Sequence, residues 1–232
     1  MASKLVALAW SGGKDSAMAL AALRADPHVE VVALVTTMTR DYDRISIHGV
    51  RRDVLEAQVA EIGIPLVEVS IPTAATNAPY EEAFASALRD LRKKHPTLRH
   101  LAFGDLFLAD VRAYRERLLA ELDWEPLFPL WGIDTTALAH NFCASYRAVL
   151  TCVDTTQLGA DFAGRDFDLT LLTDLPATVD PCGERGEFHT CVYAGPIFRN
   201  PLTLHRGERV LRDGRFRYCD VLLEPAAKGA IT

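Results

Sequence analysis

The chain has 232 residues, 49% hydrophobic and 24% charged, with a formal net charge of −6. That is ample material for a buried core, and the negative balance argues against nucleic acid as a partner. Five cysteines (Cys143, Cys152, Cys182, Cys191, Cys219) are odd in number and widely spaced, and no stretch approaches the roughly 18 apolar residues that span a bilayer, so the expectation is a cytoplasmic protein with reduced thiols, no export leader and no membrane contact.

Lys4 to Trp10 is a continuous apolar run, which suits a strand buried on both faces, and the alanine- and leucine-rich stretch from Ala17 to Leu23 predicts a helix. A second buried strand is predicted over Val29 to Thr37. A helix follows from Val50 to Ile62, with Leu55, Val59 and Ile62 on one face and Gly63 to end it. The alternation continues with a strand over Pro65 to Ile71 and a helix from Pro79 to about Lys93. A strand over His100 to Phe103 and a helix over Asp110 to Leu122 complete it. Such alternation implies right-handed crossovers and a mostly parallel sheet covered on both faces. The proline- and tryptophan-rich "WEPLFPLWGID" reads as a junction near residue 125. Beyond it are predicted a helix over Asp134 to Cys143, a strand over Ala148 to Val153, a helix near Asp166 to Leu172, and, over "DPCGERGEFHTCVYAGPIF" and "RVLRDGRFRYCDVLLE", a loop feeding short strands, with "DPCGERGEFHT" loop-like. A hairpin turning at Asp213 and Gly214 comes last. The expected organisation is an α/β nucleotide-type domain over residues 1–125 and a smaller α+β domain over 126–232.

The polar break "SGGKDS", Ser11 to Ser16, falls between the first strand and the first helix, at the sheet edge where open α/β folds bind ligands. Gly12 and Gly13 let backbone N–H groups come close to a ligand, and the helix start adds donors with partial positive charge. Ser11 and Ser16 add hydroxyls and Lys14 a point charge, while Asp15 is suited to capping the helix or holding magnesium. The spacing is neither that of a Walker A loop nor that of a dinucleotide fingerprint. It resembles the Ser-Gly-Gly-x-Asp-Ser signature of the PP-loop ATP pyrophosphatases, which implies cleavage of ATP between its α- and β-phosphates.

A second motif, "DPCGERGEFHT" from Asp180 to Thr190, brings Glu184, Glu187 and His189 together on a glycine-interrupted segment. Such groups can serve as general base, orient an amine or bind a cation. With "SGGKDS", "IHGVRRDVLEAQVAEIGIPL", "FGDLFLADVRAYRE" and "PLW", this motif makes nearly the whole chain resemble the diphthine–ammonia ligase family. The resemblance implies a parallel doubly wound sheet of the adenine nucleotide alpha hydrolase (HUP, PP-loop) type with a C-terminal domain of its own. It also implies ATP and Mg2+, adenylation of a carboxylate, attack by ammonium or an amine, and release of AMP. Lys14 and the loop would hold the pyrophosphate, with Asp15 or Asp105 on the magnesium. Glu184, Glu187 and His189 would face the adenylate across a cleft between the domains. The form "ERGEFHT" departs from the Glu-Gly-Gly-Glu-Tyr-Glu-Thr of diphthine ligases and looks like the bacterial branch, for which a cobalamin-related role has been suggested. The expected carboxylate is therefore small or protein-borne, and not diphthine.

His48 follows the second strand, and the resemblance places it at the nucleotide. Gly104 and Asp105 follow the fourth strand, where Asp105 would face the same cleft. The spacing of Cys182, His189 and Cys191 does not match a zinc half-site. Trp10, Trp124 and Trp131 are expected in the core or at the domain interface. The basic run from Arg89 to His100 suits the C-terminal end of a helix better than a tRNA patch. Two other functions share the loop: tRNA thiolation or a similar base modification, disfavoured by the acidic balance and the absence of a Cys-x-x-Cys pair, and a nucleotide sensor without turnover. A homodimer is compatible with the sequence, which does not fix the oligomeric state.

Overall fold

The computed structural model describes residues 3–73 and 77–224. Five parallel strands, β1 (Lys4–Ala9), β2 (Val29–Thr39), β4 (Leu66–Ile71), β5 (His100–Ala102) and β6 (Glu125–Leu127), lie in the order β4-β2-β1-β5-β6. A two-residue strand, β3 (Arg44–Ile45), folds back antiparallel on the end of β2. The order reverses beside β1, so the carboxyl ends of β1 and β5 bracket the switch point where such sheets bind ligands.

Alternate residues of β1 serve the two faces: Val6 and Leu8 pack with α1 (Lys14–Ala25) and α2 (Arg52–Ile62), while Ala7 packs with α3 (Asn77–Lys94) and α4 (Ala109–Ala120). Ala17, Leu20 and Leu23 of α1 and Val54, Leu55 and Ile62 of α2 form the apolar stripes on the first face. Gly63, at φ 75° in the left-handed region, ends α2.

The second sheet, ordered β8-β7-β10-β9, is antiparallel and comprises β7 (Arg147–Asp154), β8 (Phe188–Ala194), β9 (Leu204–Arg212) and β10 (Phe216–Leu223). Two helices capped by aspartate flank it, α5 (Thr135–Ser145) by Asp134 and α6 (Leu169–Asp174) by Asp168. Val149, Leu150, Phe188, Cys191 and Val221 of this sheet share one continuous core with the α1 and α2 face of the first. Among the described residues no helix is long and apolar enough to cross a membrane.

Three local expectations are corrected. The first helix begins at Lys14 and not at Ala17, so half of the polar motif is helical. "FHT" is not a loop but the start of β8, and its burial alternates, with Phe188 and Thr190 buried and His189 partly open. The junction after residue 124 contributes β6, an edge strand in which Pro126 removes a donor that an inner strand would need.

Candidate active site

The loop after β1 is held from three sides. Gly12 has φ +74°, and a Cβ there would meet Gln58 Oε1 at 2.6 Å. Gln58 is fully buried on α2; its Nε2 donates to the Gly12 carbonyl (3.0 Å) and the Val192 carbonyl (2.7 Å), and its Oε1 accepts from Trp10 Nε1 (3.3 Å). Gly13, the N-cap of α1, has no side chain to cap with. Thr190 on β8 supplies the cap from the other sheet, its Oγ1 accepting from the Lys14 N–H at 3.0 Å. Within the loop, Ser11 Oγ accepts from Gly13 N–H (3.3 Å) and Ser16 Oγ donates to the Gly13 carbonyl (2.9 Å). Gly104 presses on the same helix start, where a Cβ would come within 2.8 Å of the Asp15 carbonyl carbon.

A cavity of about 740 Å³ opens over this loop. It is lined by Ser11, Lys14, Asp15, Ser16, His48, Gly104, Asp105, Glu184 and His189 from the sequence-predicted set, while Gly12 and Gly13 are not part of the lining. The segment carrying His48 is tied to the second sheet by Asp220 on β10, which accepts from Arg44 Nη1 (2.7 Å) and Arg51 Nη2 (2.6 Å). Further lining comes from α3 and α4, with Tyr80, Phe84, Tyr114 and Arg115.

The charges in the cavity are mostly paired. Lys14 Nζ donates to both oxygens of Asp15, at 2.9 and 2.8 Å. Burial disfavours the ammonium, but the charge and hydrogen bonds of Asp15, with Cys182 and Glu184 nearby, together outweigh it and hold the Lys14 pKa above the usual lysine value. Asp105 Oδ2 accepts from Arg115 Nε at 2.8 Å. Glu184 Oε1 accepts from Leu106 N–H at 2.8 Å, yet burial, reinforced by the charge of Asp15, pushes its carboxyl up to about 7.

The imidazoles of His48 and His189 lie 4.6 Å apart, centroid to centroid. Burial lowers the His48 pKa to about 4, against a 3.4 Å bond to the Thr190 carbonyl that fixes its proton on Nδ1. Burial and the neighbouring His48 push His189 well below the usual range too, so both rings are neutral.

Two expectations change in this setting. Glu187 does not face the cavity: it is buried, its Oε1 accepts from Asp180 N–H and its Oε2 from Arg185 N–H, both at 2.9 Å, so it shapes the loop that presents Glu184. Asp15 and Asp105, expected on magnesium, each already hold a cationic side chain, and among the described residues no group of three or more His, Cys, Asp or Glu could cage a metal ion.

Sequence reading passed over Gln58, Thr190 and Arg115. Gln58 left a trace, a polar residue on the face that Leu55 and Ile62 make apolar. Thr190 stands within the second motif, and Arg115 lies within "FGDLFLADVRAYRE". Their parts depend on contacts across the fold that no local pattern carries.

A parallel sheet with its glycine loop at the switch point, roofed by a second antiparallel sheet that caps the first helix, defines an α/β protein of the adenine nucleotide alpha hydrolase type. The chain belongs to the diphthamide synthase family: the family's N-terminal domain model matches residues 3–124 and its C-terminal domain model residues 134–221. The diphthine–ammonia ligase of Schizosaccharomyces pombe is 26% identical over 212 residues, which cover 84% of this chain and 35% of that protein. The chain thus spans about a third of the length of that relative.

Proposed function

We propose that the chain is an ATP-dependent, AMP-forming ligase that adenylates a carboxylate and passes the acyl group to ammonia or an amine. The observation that carries the reading is the glycine loop, fixed by Gln58 and Thr190 at the start of α1 and opening into a cavity that also holds a carboxyl near neutrality, Glu184. Membership of the family and a ligase relative support it.

In this reading the N-terminus of α1 and the hydroxyls of Ser11 and Ser16 receive the phosphates of ATP. A carboxylate oxygen attacks the α-phosphorus, the bond from that phosphorus to the bridging oxygen breaks, and pyrophosphate leaves with the electron pair. The amine then attacks the acyl carbon, AMP leaves, and Glu184 takes the proton that the nitrogen loses. A carboxyl that titrates at about 7 is matched to that work at neutral pH. The neutral rings of His48 and His189 offer hydrogen bonds without a competing positive charge. An uncharged ring at residue 189, where diphthine ligases of the family carry a carboxylate, supports an acceptor other than diphthine.

The test is product analysis with ATP, ammonium and a panel of carboxylates. AMP and pyrophosphate, formed only when a carboxylate is present, are expected; ADP and phosphate would overturn the reading.

A further inference from the structure

We infer that Arg115 grips the pyrophosphate half of ATP, with Asp105 as the positioning residue that aims it. The inference rests on the nucleotide reading above and adds a residue that the glycine-loop motif does not contain. Two long cationic side chains line the cavity among the described residues, Lys14 and Arg115. Lys14 is the one that the motif nominates, but its ammonium is held by both oxygens of Asp15 and lies 5.6 Å from the Phe188 ring centroid. With its side chain only 5% exposed, it has little freedom to meet a ligand. The two histidines at the same end are uncharged. A triphosphate that entered this cavity would therefore find its open cation in Arg115.

Arg115 is built for that part. Its Nε donates to Asp105 Oδ2 at 2.8 Å and its guanidinium lies 4.3 Å over the Phe103 ring, so the plane is fixed before any ligand arrives. The side chain is 25% exposed, and with Nε taken, the two Nη groups are the donors it can turn to the cavity. Asp105 follows Gly104, which is packed against the backbone of Asp15, so the pair is tied to the helix start where the phosphates would sit. A planar fork meets two oxygens of one phosphoryl group, which a lysine cannot do. As the bond to the α-phosphorus breaks, negative charge grows on the pyrophosphate, and a preset guanidinium stabilises it.

The test is calorimetric titration of the full chain with ATP, inorganic pyrophosphate and AMP. Arg115→Gln should weaken ATP and pyrophosphate binding about ten- to hundredfold while AMP changes by less than about twofold, the loss expected for charge-assisted hydrogen bonds. Arg115→Lys should recover part of the loss, and Asp105→Asn, which keeps the guanidinium but frees it, should show a smaller loss of the same selectivity. If Arg115→Gln does not fold, as judged by circular dichroism, the other two variants carry the comparison. Unchanged ATP and pyrophosphate affinity, or an equal loss for AMP, would overturn the inference. Failure of the unaltered protein to bind ATP would instead remove the nucleotide reading beneath it.

Discussion

The Thr190 hydroxyl on β8 caps the helix that begins at Lys14, joining strands and helix 176 positions apart in the chain. The donor it satisfies is one that Gly13 has no side chain to reach, so the helix start is completed by the second sheet. Thr190→Val keeps the shape and removes the acceptor. It should cost about 1 to 2 kcal/mol of stability, with Thr190→Ser recovering most of it, as read in urea unfolding. A variant as stable as the parent would show that the cap contributes nothing.

Gln58 holds the same loop from below. Gln58→Leu fills similar space but leaves the Val192 carbonyl without its 2.7 Å donor and the Trp10 indole without its acceptor. A loss of about 2 kcal/mol or more is expected, together with weaker ATP binding, since the loop would no longer be fixed. Thermal melts in the presence and absence of ATP measure both effects.

Glu184 sets a pH dependence of turnover. A base at about 7 is protonated below that pH, so the amine-transfer rate should rise through about pH 7 and level off above it. Glu184→Gln should abolish that limb and most of the rate while ATP affinity stays within about twofold of the parent. A pH profile unaltered in Glu184→Gln would assign the proton transfer to another group.

The same groups act on stability with opposite signs. The Glu184 carboxyl is raised in the fold, so its stabilising contribution is present below about pH 4.5 and is lost as the pH rises through about 7. The His48 ring is lowered, so its contribution is present above about pH 6.5 and is lost as the pH falls toward about 4, with His189 shifted the same way. Urea midpoints across pH 4 to 8 should therefore slope less steeply on the acid side in His48→Asn. Glu184→Gln should lose less stability between pH 5 and 7.

Much of the architecture is legible in the chain because its signals are local. The apolar run from Lys4 to Ala9, the stripe of Leu55 and Ile62, and the glycine that ends α2 each report on a single element. β3 and β6 escape because two and three residues are too few to set up a period, and Pro126 argues locally against a strand. The start of β8 escapes because glycines at 183 and 186 precede it and polar residues dominate the motif. Within the candidate site, residue type identified Glu184 and His189 but could not separate Glu184 from Glu187. Both are carboxylates on one short segment, and only tertiary placement turns one to the cavity and the other to backbone N–H groups.

Oxygen tracing tests the adenylation most directly. A carboxylate that supports turnover is labelled with 18O in both carboxyl oxygens and incubated with the protein, ATP and ammonium. The account predicts one 18O in the phosphoryl group of AMP and the other in the amide. Unlabelled AMP, or label recovered in inorganic phosphate alongside ADP, would contradict it.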